Sequence, residues 1–93
     1  MYILSISTMI GGNPFHNEPE LHDTEESAYK SMKRKIEYKV RNYLAIKEYD
    51  DWDKEEANKR GIDFEINSDN GKVVLSETPL ENYSYYYIDE VDE

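Results

Sequence analysis

Cysteine is absent from the 93 residues, which removes disulfides, zinc–thiolate sites and thiol chemistry. No apolar run approaches the ~20 residues that a membrane-spanning helix needs. The first residues carry no basic n-region of a signal peptide, so the expected location is cytoplasmic. Proline occurs three times and glycine four times. None of these lies between Thr24 and Arg60, so nothing local forces a break there. Alanine and arginine supply only three residues each, whereas Ile, Lys, Asn, Tyr and Phe together supply 34. That bias is the mark of an AT-rich genome, as in low-GC bacteria and their phages.

Positive charge is also scarce. Twenty-one acidic residues against 11 basic ones give a net charge of −10, and the charge is unevenly spread. Residues 30–41 hold six basic side chains against Glu37, a net of +5, while residues 61–93 carry −8. A strongly negative chain repels nucleic acid and anionic membrane and speeds encounters with basic partners. Direct binding to nucleic acid or membrane is therefore disfavoured. Within the basic segment, Lys33–Glu37 and Glu37–Arg41 have the i,i+4 spacing of solvated-face pairs.

What is present is a long amphipathic helix, expected from about Thr24 to Tyr49. Asp23 or Thr24 can cap it, and Glu25 and Glu26 suit the positive end of its dipole. At 100° per residue, Ala28, Tyr29, Met32, Ile36, Val40, Tyr43 and Ile46 form one stripe, with Lys30, Arg34, Glu37, Arg41 and Glu48 opposite. Asp50-Asp51-Trp52-Asp53 reads as a second helix start, and Lys59-Arg60-Gly61 as its stop. One unbroken rod to Arg60 would span about 55 Å, against a radius of gyration near ~13 Å for a chain of this size. Two helices bent near Asp50 are expected. The alternative is a projecting helix that packs on a second copy, although Lys39 interrupts its apolar seam.

The remaining segments alternate as strands do. Tyr2, Leu4 and Ile6 share one side of the first, and Ile62, Phe64 and Ile66 one side of the next. Asn70-Gly71 signals a tight hairpin turn with positive φ, leading into a strand with Val73 and Leu75 inward. Pro79 breaks the ladder. Tyr83 to Val91 then forms a last strand, with Tyr86 and Ile88 on one face and Tyr83, Tyr85, Tyr87 and Asp89 on the other. The fold class expected is α+β, in the order β-α-α-β-β-β. A single domain over residues 1–93 would hold a four-stranded, mainly antiparallel sheet, with one long and one short helix on one face. The first strand should lie beside the last, and the stretch from Gly11 to Asp23 should be an irregular polar loop.

Motifs for chemistry are weak. Gly11-Gly12 follows a strand but fits neither a dinucleotide fingerprint nor a P-loop. His16 and His22 share their loop with Glu18, Glu20 and Asp23, yet no regular element sets their spacing for a metal, and solvated histidines are expected. Asp50, Asp51 and Asp53 lack the spacing, glycine and closing glutamate of a calcium loop. No nucleophile elbow or histidine relay occurs. Neither catalysis, a metal nor a cofactor is expected.

The candidate surface is the sheet face turned away from the helices. It should present Asp63, Glu65, Ser76, Tyr83, Tyr85, Tyr87 and Asp89, with Glu90 nearby. Alternate residues on a strand stand about 6.7 Å apart, close to the spacing of successive phosphates on a nucleic-acid strand. Tyrosine beside carboxylate also suits protein recognition, combining rigid area with a hydroxyl. The plainer alternative is that the acids only keep the domain soluble.

Asp23-Thr24-Glu25-Glu26-Ser27-Ala28-Tyr29 opening a helix, with Tyr87-Ile88-Asp89-Glu90-Val91 as a closing strand, resembles small proteins of Gram-positive bacteria and their phages. In size and acidity the chain resembles phage inhibitors of host defence, the anti-CRISPR and anti-restriction proteins, some of which imitate DNA. The resemblance covers the two ends of the chain and carries over no functional residue. It implies a non-catalytic inhibitor that blocks a basic host protein handling nucleic acid. The binding residues would be Asp63, Glu65, Tyr83, Tyr85, Tyr87, Asp89 and Glu90. The alternative is a self-associating module, a homodimer through the helix or the tyrosine strand, and after it a small enzyme.

Overall fold

The computed structural model describes residues 1–46 and 53–92. Strand β1 (Tyr2–Ile10) is followed by two short strands, β2 (Asn13–Phe15) and β3 (Glu20–His22). Helices α1 (Glu25–Ile46) and α2 (Lys54–Lys59) come next, then β4 (Ile62–Ile66), β5 (Asn70–Leu75) and β6 (Tyr83–Glu90). The fold is α+β, with one long helix on one face of an antiparallel sheet ordered β2-β1-β6-β5-β4. As expected, β1 pairs with β6, from Tyr2↔Glu90 to Met9↔Tyr83.

The sheet has six strands, not four. The expected polar loop folds back twice along the free edge of β1, with Ile10↔Asn13 leading β2 and Tyr2↔His22 closing β3. Gly11 (φ 58°) and Gly12 (φ 79°) form the two-residue turn, whose paired positive φ angles match the strand twist. The turn is tied to the distant loop before β6 by Gly11 N–H to Asn82 Oδ1 and Gly12 N–H to Glu81 O, each 3.0 Å. Three-residue strands show no side-chain periodicity. What drives them is backbone pairing, which covers an edge that would otherwise be open.

Helix α1 starts where Thr24 Oγ1 accepts from Ser27 N–H at 3.1 Å. It buries Ala28, Met32, Ile36, Val40 and Leu44 against the sheet. These residues form an i,i+4 row, which drifts about 40° per step because four residues exceed one turn of 3.6. Ile46, expected on the stripe, is therefore 77% exposed, and Leu44 takes its place. On the sheet side Leu4, Ile62, Val73, Tyr86 and Ile88 complete the core. Its burial contributes about 25 cal/mol per Å² of apolar surface removed from water.

The hairpin after β4 corrects another expectation. Its turn lies at residues 67–69, closed by Asn67 N–H to Asn70 O at 2.8 Å. Asn70 and Gly71 are already in β5, opposite Tyr87 and Tyr86. Gly71 is needed for space instead of backbone freedom. A Cβ there would stand 2.5 Å from Ile36 Cδ1 and 2.8 Å from Glu65 O, so the helix can approach only over a glycine.

Helix α2 is capped by Asp53, which accepts from Glu55 N–H at 2.7 Å, and ends at Gly61 with φ 82°. Asp53 is thus occupied as a cap. The last turn expected for the long helix, to Tyr49, lies outside the described residues. So do the bend near Asp50 and the cation reading of Asp50 and Asp51.

Candidate functional sites on the two sides of the sheet

Strand β6 has a different chemistry on each side. Its odd-numbered residues point away from the helices. Register places Tyr85 between Ser7 and Lys72, Tyr87 between Ser5 and Asn70, and Tyr83 between Met9 and Val74. Beyond them Glu65 lies across from Lys72, Asp63 across from Val74, and Asp89 across from Ile3. Six of the seven expected binding residues thus share one face, which no helix covers among the described residues. Glu90 does not join them, because it pairs with Tyr2 and points to the other side. Ser76 lies in the turn after β5.

Tyr83 and Tyr85 stack at a tilt, ring centroids 5.1 Å apart, and Tyr87 is 49% exposed. The acids are not all free. Lys72 Nζ lies 3.2 Å from Asp63 Oδ2, and that hydrogen bond raises the lysine pKa above its ordinary value against a small opposing desolvation. Glu65 and Asp89 form no ion pair among the described residues. The face carries Asp63, Glu65 and Asp89 against Lys72, a net of −2.

The other side of β6 turns Ser84 and Tyr86 toward α1. Between the helix flank and the β2 edge lies a cleft of about 770 Å³, lined by Thr8, Asn17, Arg34, Lys39 and Ser84 among others. Its outer end is Ile10, Phe15 and Tyr38, all substantially exposed. Composition masked this cleft. Its one signal was Lys39, a charge set in the apolar seam of the helix.

At the inner end, Glu20 fastens β3 to α1. Its Oε1 accepts from Ser31 Oγ at 2.6 Å and from His22 Nε2 at 3.0 Å, and its Oε2 meets Lys35 Nζ at 2.7 Å. Burial pushes this carboxyl up, but the bonds from Lys35, Ser31 and His22 outweigh it and hold the pKa at about 2. A carboxylate only accepts, so His22 Nε2 donates to Glu20, while Nδ1 and Ser27 Oγ share a hydrogen bond of 2.8 Å. His22 was expected to be a solvated loop residue and is instead a half-buried strand residue. His16 is exposed. No group of three potential metal-ligating side chains occurs among the described residues.

Fold and surfaces together define an α+β protein with an acidic, tyrosine-rich open face and a cationic cleft behind it. Comparison with protein families, curated proteins and solved structures finds no match.

Proposed function

We propose that the chain is a non-catalytic binding protein that engages a basic protein partner through its open sheet face. The observation that supports this reading most directly is the row Tyr83, Tyr85 and Tyr87, uncovered by any described helix and flanked by the carboxylates of Glu65 and Asp89, which form no ion pair among the described residues. Tyrosines supply rigid contact area, and the free acids steer a cationic partner into place. A nucleic-acid-handling protein fits because its binding groove carries a positive field at the spacing of phosphates. The action would be to block that groove, as the resemblance to phage inhibitors implies. Lys72 refines the picture. With Asp63 neutralised, recognition rests on tyrosine area plus a few carboxylates, and less on an unbroken row of phosphate substitutes.

The test is capture on immobilised protein from a lysate of a low-GC Gram-positive bacterium, at low and at high salt. The same experiment is run with the Tyr85→Ala/Tyr87→Ala and Glu65→Lys/Asp89→Lys variants. The expected result is a small set of basic proteins, released by salt and not retained by either variant. Retention that ignores both salt and the substitutions sinks the reading. A dimer seen by light scattering that Tyr87→Ala dissolves would assign the face to self-association.

A further inference from the structure

The floor of the cleft is built from hydrogen-bond donors with too few acceptors. Asn17 Nδ2 donates to Thr8 Oγ1 at 3.0 Å, Thr8 Oγ1 and Ser84 Oγ share a bond of 3.1 Å, and Lys39 Nζ donates to Ser84 Oγ. With a nitrogen donor at each end, the two hydroxyls bring two protons, one for the bond between them and one for the Tyr86 hydroxyl, which accepts from Ser84. The shortage falls on Lys39, because two N–H groups of its ammonium have no acceptor among the described residues. The Tyr43 hydroxyl is buried without a hydrogen-bond partner among the described residues, and its ring lies 5.8 Å from Lys39 Nζ.

Carboxylates are plentiful in this chain, yet among the described residues none bonds to that floor. Lys30, Lys33, Lys35, Lys59 and Lys72 each have a carboxylate partner. Lys54, exposed on α2, and Lys39, half-buried in the cleft, have none among the described residues. Arg34, at the cleft rim, also forms no ion pair there. Glu20 does not serve them, since both its oxygens are engaged by Ser31, His22 and Lys35. Three cations and one carboxylate line the cleft, inside a chain of net charge −10. Burial also lowers the Lys39 pKa, which is the cost of holding an ammonium there without a counter-charge.

We propose that this cleft is a binding site for a small organic anion. A carboxylate or phosphate head would meet Lys39, Arg34 and the Thr8–Ser84 hydroxyls, and an apolar body would lie against Ile10, Phe15 and Tyr38. The volume of about 770 Å³ falls within the roughly 300–1,000 Å³ typical of ligand sites. Apolar walls with a few converging polar groups are the usual composition of such sites. The head supplies the missing acceptors, and charge-assisted bonds to Lys39 and Arg34 provide the discrimination. The site lies on the opposite side of the sheet from the tyrosine face and does not depend on it.

Titration with 3-phenylpropionate and with phenyl phosphate, followed by calorimetry and by amide NMR shifts, tests the assignment. The neutral alcohol 3-phenylpropan-1-ol is the control. Both anions, or one of them, should shift the amides of Thr8, Asn17 and Ser84, with the alcohol at least about tenfold weaker. The stronger anion tells carboxylate from phosphate. Lys39→Met should lose about tenfold in affinity while melting no lower than the wild type, because it removes a half-buried charge that has no counter-ion among the described residues. Arg34→Gln, at the exposed rim, should fold normally and weaken binding several-fold. Three results would overturn the proposal: silence with both anions, equal binding of the alcohol, or anion affinity untouched by either substitution.

Discussion

The open face and the cleft are two sides of one strand, and they differ in almost every respect. Tyr83, Tyr85, Tyr87 and Asp89 stand on one side of β6, in an aromatic and acidic setting. Ser84 and Tyr86 stand on the other, among hydroxyls and ammonium groups. A two-residue period suffices to separate them, because successive side chains of a strand point to opposite faces. The difference teaches that net charge is a poor guide to local potential. A chain of −10 holds a cleft with more cations than anions, because its basic residues are concentrated on α1 and that helix lies over one face only.

Both regions rest on the contact between helix and sheet, so the largest effects should come from breaking it. Ile36→Ala removes a fully buried side chain at the centre of the i,i+4 row and should cost about 3 kcal/mol in denaturant unfolding. Both surfaces should weaken together in that variant. Gly71→Ala attacks the same contact by overfilling, since its methyl group meets Ile36 Cδ1 and the Glu65 carbonyl, and about 2 kcal/mol is expected. A Gly71→Ala variant as stable as the wild type would show that helix and sheet are less closely packed than these distances imply.

How much of this was legible beforehand follows from the range of each interaction. The long helix, the alternation of β1 and β6 and the stop at Gly61 are local patterns, and they read directly from the residues. The face shared by Asp63, Glu65, Tyr83, Tyr85, Tyr87 and Asp89 follows from that alternation once the strands pair in register. Glu90 was misplaced because it was grouped by proximity and not by parity. β2 and β3 were invisible because backbone pairing makes them. Ile46 was misjudged because a straight stripe was assumed where the contact follows a drifting row. The role of Gly71 depends on Ile36, 35 positions away, and the cleft depends on Thr8 meeting Ser84 across 76. No local pattern carries either.

Smaller effects sharpen the comparison on each side separately. On the cleft side, Glu20 has a folded-state pKa of about 2 against an ordinary 4.5. Its stabilising contribution is therefore complete above 4.5 and is lost as pH falls through about 2. Glu20→Gln should lower the melting temperature at neutral pH, and the gap to the wild type should close across that acid window. A gap that stays constant to pH 2 would mean that Glu20 is not held by Lys35, Ser31 and His22 as described.

On the open face the smallest change in stability is expected from Lys72→Met. The pair with Asp63 is part-exposed and of the kind worth at most about 1 kcal/mol, and the methionine keeps a stem of similar length across the ladder from Tyr85. Unfolding should therefore hardly shift. The face, however, would go from a net of −2 to −3, with Asp63 released beside Glu65. Encounter with a basic partner should become faster and more salt-sensitive, since long-range attraction acts mainly on the association rate. The cleft lies on the far side of the sheet, so its affinity for 3-phenylpropionate should not move. Should both affinities change in step, the two surfaces are coupled through β6, and the separation by parity fails as an account of how this chain keeps opposite charges apart.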